Sequence, residues 1–205
     1  MTTVFTIVLI AHIVSGITCF GTGIMAILSK KGGKLHRISG KVYFIGMLGV
    51  IFSAFFLAYI RTNNFLLFIA SFSFYMVWAG YRSVKNKALT PSTLDWIVWA
   101  IGVLTAVGML LSNNVILLAF GGLHLFNLIR ELRLFTRHIK GDKTKPNAWL
   151  LRHIGMMIGS YIATFTAFLV VNVQTFEPAW IPWLAPTIFG IPLITFLSRK
   201  YKTSK

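Results

Sequence analysis

Long apolar blocks alternate with short polar or basic breaks along the whole chain, and seven such blocks can be marked out. They run from about Val4 to Leu28, Ile38 to Ile60, Phe65 to Tyr81, Leu94 to Leu111, Val115 to Ile129, Ala148 to Val173 and Trp180 to Leu197. Each is close to the roughly 20 residues that a helix needs to cross a bilayer, and none shows the alternation of a barrel strand of about 10. In lipid, every backbone polar group of a span must be satisfied internally, which a helix does. The pattern predicts an all-α, polytopic bundle of seven transmembrane helices forming one domain over residues 1–205.

The breaks carry their own signals. Thr90-Pro-Ser-Thr93 reads as a turn and N-cap, with Asp95 favourably placed in the first helical turn. Ser112-Asn-Asn114 is a tight polar turn, and the fifth helix is expected to continue through Arg130 to Arg133. The longest loop covers 136–147. Pro182 and Pro186 fall in first turns, whereas Pro192 sits mid-helix and predicts a kink.

Composition supports a membrane class: the 205 residues are 56% hydrophobic and 12% charged, about half the charged fraction of a soluble domain. The net charge of +16 would suggest nucleic acid if it were spread along the chain. It is not. The breaks after spans one, three and five and the C-terminal tail hold 19 of the 20 lysines and arginines, and the other side holds Arg61 alone. By the positive-inside rule the N-terminus is outside, the C-terminus cytoplasmic and the span count odd. The basic residues then face anionic lipid head groups, nucleic acid is set aside, and the expected location is the plasma or inner membrane. The lone Cys19 excludes an intrachain disulfide and a multi-cysteine metal site. The N-terminus has no basic n-region, so the first block is expected to stay as a helix.

Candidate chemistry rests on histidine. His138 lies in a basic stretch, while His12, His36, His124 and His153 fall one each on spans one, two, five and six. At 1.5 Å per residue, His12 and His124 lie roughly 12–15 Å below the outer face, and His36 and His153 near the cytoplasmic starts of their spans. This predicts two pairs, His12 with His124 and His36 with His153. One centre using all four is not expected, because ligand nitrogens must come within about 2.1 Å of one ion. Axial imidazoles from facing helices are what a b-type haem takes. Each histidine has a glycine nearby (Gly16, Gly40, Gly121 and Gly122, Gly155 and Gly159), and glycine also packs membrane helices closely. Asn127, one turn below His124, is expected to hydrogen-bond that imidazole and orient it.

Other polar groups read more plainly. Asn172, Gln174, Arg61 and Glu177 share the outer end and suggest a pocket for a small acidic or quinone-like molecule, with helix capping as the simpler reading. Glu131, between Arg130 and Arg133, reads as half of a surface pair. Ser71 to Tyr75 and Trp78 read as packing, and Trp149, Trp180 and Trp183 as interfacial anchors. No nucleotide-binding, nucleophile-elbow or zinc-protease motif occurs.

The segments Lys34-Leu-His-Arg-Ile-Ser-Gly-Lys-Val-Tyr43 and Arg152-His-Ile-Gly-Met-Met-Ile-Gly-Ser-Tyr161 through Phe168 resemble signature segments of an uncharacterised bacterial multi-pass membrane family. That resemblance is strongest over spans one, two and six. It implies the fold and no activity. The four-histidine arrangement is similar, more loosely, to transmembrane di-haem b-type cytochromes, whose ligands fall on consecutive helices. The function expected from the sequence is a haem- or metal-binding electron-transfer protein using His12, His124, His36 and His153. A proton-coupled transporter with His12 and His124 on its path, and a non-catalytic scaffold or assembly factor, are the alternatives.

Overall fold

The computed structural model describes residues 2–142, 145–173, 175 and 177–202. Among these residues it contains seven α-helices and no strand. They are α1 (Thr2–Leu28), α2 (Lys34–Ile60), α3 (Asn64–Lys85), α4 (Thr93–Leu110), α5 (Val115–Ile139), α6 (Ala148–Asn172) and α7 (Ile181–Lys202). All seven are long and apolar enough to cross a membrane. Their outer surface is apolar, as lipid requires: Ile17, Ile45, Phe52, Leu104, Val171, Ile188 and Phe189 are among the large exposed side chains.

The boundaries differ from the sequence reading mainly at basic ends. α2 begins at Lys34, so His36 lies in its first turn, and α5 continues to Ile139, taking in part of the expected loop. Hydropathy falls off where lysine and arginine begin, but the backbone remains helical, because these residues are good helix formers. Caps close the ends as their residues suggest. Ser92 accepts from the Asp95 amide while the Asp95 carboxylate accepts from the Ser92 amide, a reciprocal capping box. Asn114 and Asn63 cap α5 and α3. α7 runs on through Pro186 and Pro192.

α3 and α6 are the central rods. α3 packs against α2, α4, α5 and α6, and α6 against α1, α3 and α7. α1 lies in the groove of α2 and α6, and α5 lies on α4 and α3. Small residues set these approaches. A Cβ on Gly46 or Gly49 of α2 would come within 2.7 Å of Cys19 Sγ or 2.8 Å of Ser15 Oγ on α1. On the α3–α6 seam, Gly80 receives Met157 and Gly159 receives Met76. Gly155, one turn before Gly159, faces open space. The main core joins Phe72, Tyr75, Met76, Val98, Met109, Phe120 and Leu128 of α3, α4 and α5. A second core joins Cys19, Tyr43, Met47, Ile51 and Val77.

Candidate functional site

Two consecutive residues at the start of α6 define the site. Arg152 and His153 are about 100° apart around a helix, so they face different neighbours. Arg152 turns into the main core. Its Nε and Nη2 donate to the Glu131 carboxylate of α5, and its Nη1 donates to the Ala79 carbonyl (2.8 Å) and Ser83 Oγ (2.9 Å) of α3. Arg152 is 9% exposed and Glu131 4%. Glu131 is therefore not the surface group that its basic neighbours suggested. It shares one face of α5 with His124, Leu128 and Phe135, all buried, and that spacing of four, three and four is the signal that places it inward.

His153 turns the other way. Its Nδ1 donates to the Gly80 carbonyl of α3 at 3.0 Å. Across from it, His36 Nδ1 donates to the Ala26 carbonyl of α1 at 2.9 Å. The two ring centres are 6.4 Å apart with planes at 82°. A carbonyl oxygen only accepts, so each ring donates from Nδ1, and no described residue bonds either Nε2. A backbone carbonyl on one ring nitrogen is the arrangement that orients a metal-ligating histidine through the other. Lys31, in the α1–α2 turn, donates to the Ala26 and Ile27 carbonyls, so the end of α1 is held from the same side. Burial, and then the nearby Lys200 charge, push the Lys31 ammonium below its usual value.

The other expected pair does not form. His12 lies on α1, whose neighbours are α2 and α6, and His124 on α5, whose neighbours are α4 and α3. Equal depth in the bilayer brought them together on paper, but depth says nothing about position around the bundle. His12 donates from Nδ1 to Ser53 Oγ of α2 at 2.9 Å, an interhelical bond. His124 is fully buried, with its ring against the edges of Phe72 (5.2 Å between centres) and Tyr75 (4.8 Å). Neither of its nitrogens has a partner, so Asn127, although buried, does not orient it. Among the described residues, no three histidine, cysteine, aspartate or glutamate side chains converge to hold a metal ion.

Two residues of the expected outer pocket have other partners. Asn172 bonds the Phe168 carbonyl of its own helix, Arg61 lies over the Phe5 ring at 4.7 Å, and Gln174 lies outside the described residues. Trp149 stacks under the Lys87 ammonium, whereas Trp183 packs edge-on against Phe65 of α3 rather than serving only as an anchor. A further polar group sits at the basic end. Arg82 forks onto Asp95 (2.9 and 2.7 Å), which also bonds Ser92 and Trp78. Arg82, Asn86, Thr90, Asp95 and Arg152 line a cleft there with Leu89 and Phe135.

One family model matches the chain, over residues 9–133, and is described as a predicted membrane protein, DUF2306. The chain belongs to this family. The DUF2306 match takes in His12, His36, His124 and Glu131 and ends before α6. The α6 segment that resembled a signature, with Arg152 and His153, therefore lies outside the matched region. No curated protein and no solved structure matches the chain.

Proposed function

We propose that this integral membrane protein carries electrons through one b-type haem held between α2 and α6 by His36 and His153. One observation supports the reading: two imidazoles on different helices meet edge to face at 6.4 Å, each with Nδ1 tied to a carbonyl and with no described residue bonded to Nε2. Two imidazoles are too few for a protein-only metal cage, and His36 and His153 are the residues that would hold a haem, which brings four nitrogens of its own. Gly40, one turn beyond His36 on the same face, has nothing within 4 Å of the Cβ position and leaves a planar group room.

A bound haem would supply one-electron chemistry. The chain's own part is orientation and charge. The Gly80 and Ala26 carbonyls keep each Nδ1 protonated and each Nε2 available. Lysines and arginines at this end, read as cytoplasmic and facing anionic lipid in the plasma membrane, favour an acidic electron-exchange partner.

The test is an absorption spectrum and iron analysis of protein purified after expression with haem supply. A Soret band is expected, lost in both His36→Ala and His153→Ala and retained in His12→Ala and His124→Ala. Folded protein without Soret absorbance or iron overturns the reading, as does a band that survives both substitutions.

A further inference from the structure

The most anomalous place in the molecule is not the histidine pair but the interior of the α3–α4–α5 core. His124 is 0% exposed, and neither ring nitrogen has a hydrogen-bond partner. The Tyr75 ring lies against it, and the Tyr75 hydroxyl is likewise buried, near Glu131 but without a hydrogen bond of normal geometry. An imidazole always carries at least one N–H and, when neutral, one acceptor nitrogen. Leaving such groups dry is costly, and buried polar atoms in folded proteins are almost always satisfied by protein or by ordered water. Two adjacent side chains with three such atoms are where this core most needs water.

Its surroundings give it a direction. Along α5, Glu131 lies two turns toward the basic face from His124 on the same buried stripe. Arg152 of α6 holds Glu131, and Arg152 lines the cleft with Arg82 and Asp95 at that face. On α4, Gly102 is the residue against the ring: a Cβ there would stand 3.4 Å from His124 Nε2 and 3.3 Å from the Tyr75 ring. The groups against His124 are thus Tyr75 and Phe72 from α3 and Gly102 from α4, while Asn127 and Glu131 are the buried polar groups of its own helix toward the basic face. Arg152 lies behind Glu131, and Asp95 of α4 lies farther out on Arg82. Toward the outer face the lining is apolar, with Phe72 and Phe120.

We infer that His124 is a proton-binding site inside the membrane, served by water from the basic-side cleft past Arg152, Glu131 and the Tyr75 hydroxyl. The ligand is a proton with its water. It adds to an unprotonated ring nitrogen to give the imidazolium and leaves by the same path. The route is open on one side only, so the site takes up charge without conducting it across. It shares no residue with the histidine pair and stands whether or not that pair holds a cofactor.

The experiment is NMR of full-length protein in lipid nanodiscs, 15N-labelled at the histidine ring nitrogens, with His124→Gln assigning the signal. The His124 resonances are expected to shift reversibly on acid titration. Exchange of the ring proton with deuterated water is expected to slow at least tenfold in Tyr75→Phe. A His124 signal that neither titrates nor exchanges while His138 does both overturns the inference. Exchange equally fast in Tyr75→Phe also overturns it, because the route is then another one. Should Tyr75→Phe fail to fold, the unsubstituted protein decides: a His124 ring proton that exchanges faster than the buried Leu128 amide supports the path, and one that exchanges no faster overturns it.

Discussion

The two sides of the α6 start make opposite use of polar groups. On the side of α3 and α5, Arg152 spends nearly all its donors on Glu131, Ser83 and the Ala79 carbonyl, and both ions are buried with their partners. On the side of α1 and α2, His153 and His36 each use one nitrogen and leave one open in half-buried rings. A closed set fixes how helices pack, whereas an open set can bind something. Because the two residues are adjacent, locking Arg152 also fixes the rotation of α6 and so where His153 points.

The strongest way to break this comparison is to leave one ion unpaired. Arg152→Ala strands the Glu131 carboxylate among apolar side chains, and Glu131→Ala strands the guanidinium. Losing one partner of a buried pair costs about 3–5 kcal/mol. Thermal unfolding in detergent is expected to fall sharply for either variant, and much less for the apolar double replacement Arg152→Met with Glu131→Leu. Equal losses in single and double variants would show that the pair is not the lock.

The next test acts on the open side through packing. A Cβ on Gly23 of α1 would overlap the Tyr161 ring of α6, and overpacking of this kind costs about 1–3 kcal/mol. Gly23→Ala is expected to push α1 off α6 and lower stability. Gly16→Ala, with nothing within 4 Å, is expected to be silent. Matching melting temperatures for the two would mean that α1 is not seated on this notch.

Between those effects and the smaller ones lies what could be read before the structure. The seven helices were legible, because length and apolarity leave few ways to cross a bilayer. The Ser92–Asp95 cap was legible because it is local. The His36–His153 approach was also readable from depth, since both open their helices at the same face. The same argument failed for His12 and His124: one dimension cannot place two rods around a bundle. The Arg152–Glu131 pair stayed hidden for a related reason. Basic neighbours suggested a surface, and only the inward stripe His124, Leu128, Glu131, Phe135 says otherwise. Tyr75 was read as packing, which its ring does and its hydroxyl does not.

Asp95→Ala sharpens the contrast between a closed and a half-open pair. Asp95 is buried, but its partner Arg82 reaches solvent, so the stranded guanidinium can rehydrate. The loss should be about 1–2 kcal/mol, chiefly that of a cap, and well below that of Arg152→Ala. Chemical unfolding of both variants side by side measures the ratio. Comparable losses would place the two pairs in equally dry surroundings.

The smallest effect is expected from the polar seam that holds α2 to α6. Tyr43 shares its hydroxyl with Ser160 (2.9 Å) and Thr164 (3.3 Å). Tyr43→Phe keeps the ring in its core with Cys19, Met47 and Ile51 and removes only the oxygen. Ser160 retains the Met157 carbonyl (2.8 Å), and Thr164 retains the Ser160 carbonyl (3.1 Å), so neither is orphaned. Interhelical hydrogen bonds in membranes average about 0.6 kcal/mol, because the unfolded helices find other partners. Tyr43→Phe should therefore shift unfolding by no more than that, while His36 and His153, one end of the same two helices, keep whatever they bind. A loss several times larger would show that this seam, and not Arg152, sets the rotation of α6, which would reverse the assignment of the two faces.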